Sequence, residues 1–531
     1  MAKGNLRLYN NESEYLLEKS GFEYPTVSYI NEIGAVRYEE PKVSANLVCT
    51  YNIADSSRET LLCSNIENIS SMIVDGVEFE VNNDIYEWEI YHTFSSAGEH
   101  TVEFVLKDNS KISEYMFDFC ETLICVNIPA GAVEIEPDAF KECTSLTTVN
   151  IPDSVTTIND KAFYMCNALA SISIPNSVTT IWRNAFGRCG SLKSIVVEEG
   201  NAVYDSRGNC NAIIETASNT LIRGCENTII PDGITSILDF SYCTSLKNIN
   251  IPNSVVSIGS DAFEDCTSLT SINTPSSTQT IGEGAFRGCS SVVSVNLDGD
   301  NLSIGEYAFS GCMSLTSVYI SGNINTIPSG AFNNNPITTL DISGNVRTID
   351  EQAFFTLRNL TTIDISGNID TIGERAFSTC STLTALNITG HVGVIGERAF
   401  AYCNKLSSVD ISGGVEIIED FAFTLCSNLT SVIIPEDCKM IGQGAFNLCS
   451  SLKDVYCYAV RPPFIKSNKY ETSDVFSDCS DDLVIYIPSG SEDFYLDSDY
   501  FIDNPYDDTL PYHDVNWWEE EYDDLIEEMT A

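Results

Sequence analysis

The sequence predicts a mainly β protein: a right-handed solenoid of about 14 coils with one parallel strand ladder, preceded by a small β-sandwich. Two observations predict the solenoid. The phrase "AFEDCTSLTSI" at residues 262–272 returns as "AFKECTSLTTV" from Ala139, "AFYMCNALASI" from Ala162, "AFRGCSSVVSV" from Ala285 and "AFSGCMSLTSV" from Ala308. Measured on its Phe, the phrase recurs from Phe117 to Phe446 at steps of 23 residues, except for 22 between Phe332 and Phe354 and 54 between Phe186 and Phe240. A period in the twenties belongs to stacked coils, each burying its apolar face on the next. The third observation is the lack of this period before residue 109, where short alternating runs predict the sandwich.

The N-terminal 1–45, with the Tyr-rich "YPTVSYINEIGAVRYEE", reads as an extended arm suited to attachment. Residues 46–108 contain "NLVCTYNI", "SMIVDGVEFEV" and "GEHTVEFVL", β-prone runs that alternate apolar with polar residues. The last of these resembles the closing strand of bacterial immunoglobulin-like modules. On this division residues 1–108 attach the molecule and residues 109–531 are displayed, so the chain is expected to remain a soluble solenoid without its first 108 residues.

In the solenoid, 109–487, each coil carries L-x-x-[VI]-x-[IL], for example Leu146, Val149 and Ile151. Alternation places Val149 and Ile151 inward and Thr148 and Asn150 outward on a half-buried strand. The 31 residues added between Phe186 and Phe240 contain two β-prone runs around "ETASNT", read as a hairpin near 201–225 that projects from the stack. Cys210 and Cys225 would face each other across it. A disulfide there is open geometrically but is disfavoured in a reducing compartment. From residue 488 to 531 the chain is acidic, and Trp517, Trp518, Tyr522 and Ile526 in "NWWEEEYDDLIEEM" are placed to cover the last coil as a terminal helix.

The A-F-x-x-C-x-[ST]-L units joined by I-P-x-S-V-T-x-I-G connections closely resemble the BspA-like, or Treponema-type, leucine-rich repeat family over residues 117–487. Five consecutive coils replace "IPxS" by "ISGN"-like turns ("YISGNINTI", "DISGNVRTI", "DISGNIDTI", "NITGHVGVI", "DISGGVEII") and depart from the commonest family phrase. The resemblance implies a surface recognition or adhesion protein.

Composition narrows the function further. With 76 acidic against 27 basic residues, the net charge of −49 repels phosphate backbones, so nucleic acid is not an expected partner. No apolar run is long enough for a membrane-spanning helix, and no membrane insertion is expected. The N-terminus lacks the apolar stretch of a signal peptide, which points to synthesis in a reducing cytoplasm. Joined with the arm, module and solenoid layout, this suggests a bacteriophage virion component, in the tail or decorating the head, that binds a host-surface protein or glycan and other virion proteins through its N-terminal region. The alternative is a cellular surface or scaffold protein, at the bacterial cell surface or in the cytoplasm. Oligomeric state is left open.

The repeated thiols, Cys143, Cys166, Cys189, Cys243, Cys266, Cys289, Cys312, Cys380, Cys403, Cys426 and Cys449, form a line of parallel side chains. Four converging zinc ligands cannot come from such a line, so no metal is expected and the thiols are read as packing. Asn335 and Leu357 interrupt the series. Four His, no phosphate loop and no nucleophile elbow leave no catalytic constellation, and neither enzymatic activity nor a cofactor is expected. Recognition is assigned to the outer face of the strand ladder, at Asn296, Tyr319, Asp341, Asp364, Asn387, Asp410, Ile433 and Tyr456.

Overall fold

The computed structural model describes residues 6–9, 47–81, 89–465, 475–491 and 525–528. These residues form strands and turns with one short 3-10 segment, Arg207–Asn209, in about 15 turns of β-solenoid. Apart from Leu6–Tyr9, which pairs antiparallel with Glu89–His92, the N-terminal arm lies outside the described residues, as does most of the acidic C-terminal segment. The chain divides into two compact units, Met1–Ile249 and Asn250–Ala531.

In the first unit, strand Leu47–Ile53 buries Leu47, Cys49, Tyr51 and Ile53, as its alternation requires. Tyr51 is fully buried and its hydroxyl donates to the Leu62 carbonyl at 2.5 Å. One sheet runs Val77–Glu80, Ile69–Val74, Gly98–Leu106, Leu47–Ile53, Leu123–Asn127, Thr148–Asn150; a second runs Leu6–Tyr9, Glu89–His92, Thr60–Cys63. Gly98–Leu106, read from sequence as a closing strand, is therefore central. The module is not separate from the coils either. Leu47–Ile53 pairs antiparallel with Leu123–Asn127, the first outer strand of the solenoid, and Phe104 meets Phe117 edge-on at 5.5 Å and 69°. The residue-108 boundary is thus crossed by backbone pairing and by a shared core.

The coils of this unit show why a single ladder was too few. Outer strands Leu123–Asn127 and Thr148–Asn150 pair in parallel, as do Ser171–Ile174 and Ser194–Val197. A second parallel ladder joins Lys111–Ile112, Glu134–Ile135, Thr157–Ile158 and Thr180–Ile181. Each of these strands is two residues long with one buried Ile, so the sequence presents it as an isolated apolar residue. The third side of the coil closes without strands. Asp138 N donates to Asp160 O (3.1 Å), Phe140 N to Ala162 O (2.8 Å) and Glu142 N to Tyr164 O (2.8 Å). Left-handed residues Asp138 (φ 53°) and Glu142 (φ 57°) flank the buried Ala–Phe pair and turn the chain around it. Backbone polar groups on all three sides thereby find partners in the neighbouring coil.

The insertion does not project. Ile213–Glu215 and Thr220–Arg223 form an antiparallel hairpin, and Thr220–Arg223 pairs in parallel with Ser236–Ile237 of the next coil. Ile213, Ile214, Leu221 and Cys225 are buried, so the hairpin stands in for a coil side. Cys210 and Cys225 are both free thiols, and Cys225 Sγ donates to Asn211 O at 3.3 Å.

In the second unit, the outer ladder runs from Ser271–Asn273 to Val484–Ile487 and is extended by Ile526–Glu528, paired in parallel with it. Those last three residues form a strand, where the sequence suggested a terminal helix. Inside, the Phe rings from Phe263 to Phe446 and then Phe476 stack one on the next, with centroids 5.0–5.6 Å apart. The "ISGN" coils carry longer second-ladder strands, such as Val346–Ile349 and Ile369–Ile372, against two residues in Ser257–Ile258 and Thr280–Ile281. Gly322, Gly344, Gly367, Gly390 and Gly413 stand in register at this corner. A Cβ added to any one of them would come within 1.8–2.3 Å of the preceding glycine's carbonyl oxygen.

Candidate recognition face

The outer ladder of the second unit places the sequence-derived positions in one line. Asn296 pairs with Tyr319, Tyr319 with Asp341, Asp341 with Asp364, Asp364 with Asn387, and Asn387 with Asp410. Farther on, Ile433 pairs with Tyr456 and Tyr456 with Tyr486. All eight positions are exposed or half-buried, whereas the intervening Val318, Leu340, Ile363 and Leu386 are fully buried. The alternation that fills the core thus also writes a continuous polar row outside it.

The row has internal structure. Asn387 Nδ2 donates to Asp364 Oδ1 at 2.6 Å, which fixes the amide beside a carboxylate. Tyr319 is 44% exposed between the shorter Asn296 and Asp341. Tyr456 differs: its ring stacks on Tyr486 at 4.8 Å and 13°, and Tyr486 OH donates to Asp454 Oδ1 at 3.4 Å. One face of Tyr456 is therefore covered by a neighbour in the ladder. Tyr486 belongs to this patch but was missed from sequence, because the step from Phe446 to Phe476 breaks the 23-residue count.

The repeated thiols point into the core of the coils and away from this face. Every Cys of the series is buried and free. Cys143 Sγ donates to Phe117 O (3.1 Å), Cys289 to Phe263 O (3.2 Å), Cys403 to Phe377 O (3.5 Å) and Cys449 to Phe423 O (3.3 Å), each acceptor lying 26 residues earlier. The same Phe carbonyls accept their own coil's Cys N–H, as in Cys380 N to Phe377 O. The thiol is thus a weak donor as well as a filler. Burial pushes Cys312 and Cys380 up to about 12, which keeps them as thiols. Native protein treated with iodoacetamide should therefore react first at the half-buried Cys125 and Cys479, read by mass spectrometry; early labelling of Cys143 or Cys403 would contradict the packing.

Asn335 occupies one rung and donates Nδ2 to Phe309 O at 2.8 Å, which preserves the bond, but its Oδ1 is buried without a partner. Asn335→Cys is expected to stabilise the protein by about 1 kcal/mol, since an orphaned buried acceptor costs roughly 1–3 kcal/mol. A urea melt with an unchanged or lowered midpoint would refute this.

Two further constellations escaped the sequence reading. At the "ISGN" corner, Asn323 Nδ2 donates to Asp300 Oδ1 (2.8 Å), Asn345 Nδ2 to Asn323 Oδ1 (3.1 Å), and the backbone N–H groups of Asn368 and His391 donate to Asn345 and Asn368 side chains (both 3.1 Å). His391 also faces Glu416 (3.4 Å) and Asp437 (3.3 Å). In the first unit, Arg223 on the hairpin is buried against Asp239 (2.7 Å) and donates to Cys189 O (3.3 Å) and Ser241 O (3.2 Å). Burial opposes its charge, but Asp239 together with the neighbouring Cys243 and Cys189 outweighs burial and leaves Arg223 firmly protonated. The "LIRGC" run offered no sign that its Arg turns inward. Among the described residues no group of three or more His, Cys, Asp or Glu is placed to hold a metal, and no helix is long and apolar enough to cross a membrane.

A family model described as the BspA type leucine rich repeat region, in six copies, matches residues 91–212, 236–361 and 351–481. No curated protein matches the sequence. Among solved structures, a leucine-rich repeat protein from Bacteroides ovatus is 23% identical, with 75% of this chain and 85% of that one covered and a TM-score of 0.42. A leucine-rich repeat protein from Eubacterium ventriosum is 18% identical over 68% and 82% of the two chains (TM-score 0.36). A leucine rich cell surface protein from Faecalibacterium prausnitzii is 23% identical over 69% and 85% (TM-score 0.30).

Proposed function

The chain belongs to the BspA-type leucine-rich repeat family, and from that premise we propose that it is a non-enzymatic recognition protein that binds an extended, polar ligand along the outer ladder of its second unit. The observation that carries this reading is the unbroken register from Asn296 to Asp410, which repeats amide, phenol and carboxylate groups at the spacing of adjacent strands, about 4.8 Å. A ligand with a comparable repeat, a β-strand-like peptide or a glycan chain, can meet several coils at once. Tyr319 supplies an open ring for stacking or for a protein hot spot.

The setting we propose is an outer surface: a virion that carries the chain to a host-surface protein or glycan, joined to other virion proteins through its N-terminal region. What supports this is the acidic composition, which disfavours nucleic-acid partners, and the family's recognition role. Fractionating the native source distinguishes a particle from a cell envelope; recovery in the envelope would assign the same face to a cellular surface protein.

Binding to intact host cells tests the face itself. Tyr319→Ala should weaken it by about 1 kcal/mol or more, roughly fivefold, as loss of an aromatic anchor does. Asp364→Asn should change the salt dependence of binding with little effect on stability, because Asp364 is exposed. Unchanged binding in both variants would move recognition away from this ladder.

A further inference from the structure

The β-sandwich of the first unit buries two histidines that recognition along the ladder does not use. His92 ends Glu89–His92, the middle strand of the three-stranded sheet, where it pairs with Leu6 of Leu6–Tyr9 on one side and with Thr60 of Thr60–Cys63 on the other. The alternation of that strand turns Ile90 and His92 inward. There the His92 ring meets Phe94 (4.7 Å, 86°) and Phe79 (5.8 Å, 69°) edge-on, and its Nδ1 is buried without a hydrogen-bond partner. A phenylalanine would fill this apolar box and leave no polar atom unpaired, so packing alone does not account for the residue.

Phe94 also packs on His100 of Gly98–Leu106, with centroids 4.3 Å apart, and that histidine is placed differently. Its Nδ1 is 2.6 Å from Asp75 Oδ2 and its Nε2 is 2.9 Å from Ser96 O. Two acceptors call for two N–H donors, which the doubly protonated ring supplies. Asp75 Oδ1 accepts the Thr101 N–H at 3.0 Å, so both carboxylate oxygens are engaged. Among the described residues, Asp75 and His100 are the charged groups that face His92. Glu78, Glu80, Glu99 and Glu103 alternate outward on the strands packed against it, and Thr60–Cys63 adds only Cys63, which burial pushes up to about 12. Arg7 and Tyr9 pair with Tyr91 and Glu89, the outward positions of the His92 strand.

We propose that this sheet is an acid-sensitive latch: uncharged His92 keeps Leu6–Tyr9 paired at neutral pH, and proton uptake by His92 opens the sheet and frees the N-terminal strand. Protonation puts an N–H on Nδ1, where no acceptor stands, and a second cation against the Phe94 that already packs on His100. Burial holds the His92 imidazole below the usual histidine range; Asp75 offsets part of this and His100 adds to it. The folded value therefore lies below the unfolded one, about 6.5, so the stability linked to His92 is present above that pH and is lost as pH falls below it. Asp118, which burial raises to about 6, takes up its proton in the folded state over the same range and has the opposite sign. Leu6–Tyr9 is a four-residue edge strand and leaves first. Thr60–Cys63, the other edge, is tied to the first coil by Cys63 Sγ to Met116 O (3.0 Å) and Ser64 N to Met116 O (2.9 Å).

Amide hydrogen exchange of the full chain tests the latch at about pH 7.5 and 5.5, one unit either side of an ordinary histidine, with exchange times scaled for the intrinsic rate. Opening of Leu6–Tyr9 and Glu89–His92 should rise about five- to tenfold in acid, the ratio set by a histidine that is protonated when open and neutral when closed. The solenoid strand Thr362–Ile365 should not change. His92→Phe, which fits the aromatic box, and His92→Gln, which stays polar but does not titrate, should each hold the rise under about twofold. In the unmodified chain, exchange of the His92 ring C2–H read by mass spectrometry should give a titration below about 6.5. A rise under about threefold, a full rise kept in either variant, an equal rise in Thr362–Ile365, or a His92 titration at or above about 6.5 would overturn the assignment.

Discussion

Removing residues 1–108 should yield an aggregating chain rather than a soluble solenoid. Strand Leu123–Asn127 would lose the partner that pairs Thr50 with Cys125 and Val48 with Asn127, leaving an open sheet edge. Phe117 would lose Phe104 from its ring, and Met116 O would lose the Cys63 thiol that donates to it at 3.0 Å. Phe117, Leu123 and Val126, all fully buried, would face water or a thinned core. At roughly 1.5–3 kcal/mol for each large apolar side chain exposed, the loss is on the order of 5–10 kcal/mol, comparable to the whole stability of a typical domain. Expression of residues 109–531 followed by gel filtration and circular dichroism decides it. A monodisperse β-rich species with a cooperative melt would mean that the module is an appendage and not a cap.

That expectation reverses the division of labour suggested by sequence, and the reason is physical. The repeat is legible because each coil must supply the same rung: Phe to the ring stack, Cys or a substitute under the Phe carbonyl, Leu and Val or Ile to the strand. Residues in register across coils therefore appear at a near-constant interval, which places Asn296, Tyr319 and Asp364 on one face from the sequence alone. Antiparallel pairing between Thr50 and Cys125 has no such interval, since those residues are far apart in the chain and occur once. The second ladder was hidden by the brevity of its strands, and the inward turn of Arg223 by depending on Asp239 in a different coil.

The "ISGN" turns were legible as a departure but not in their cause, and Gly367→Ala tests that cause. A methyl at Gly367 would sit 1.8 Å from Gly344 O and 2.5 Å from its carbonyl carbon, both rigid backbone. Gly367 is not among the left-handed glycines, so the penalty comes from the neighbouring coil and not from its own φ. Relief requires the two corners to separate, which strains Gly367 N to Ile342 O (3.1 Å), Ser366 N to Ile342 O (2.9 Å) and Val346 N to Asn368 O (2.8 Å) together. Overpacking a fixed interior costs about 1–3 kcal/mol, and a contact with backbone on one side and hydrogen-bonded coils on the other belongs at or above the top of that range. Gly367→Ala should therefore destabilise by about 3 kcal/mol or more in urea or thermal melts, with Gly322→Ala, whose methyl would stand 2.3 Å from Gly299 O and no closer than 2.7 Å to any other atom, milder. Ser366→Ala, exposed on the same turn, should stay within about 0.5 kcal/mol of the parent, as surface substitutions generally do. A melt of Gly367→Ala indistinguishable from that of Ser366→Ala would show that the corner yields freely, and the glycine ladder could then no longer be the reason these five coils gave up the "IPxS" connection.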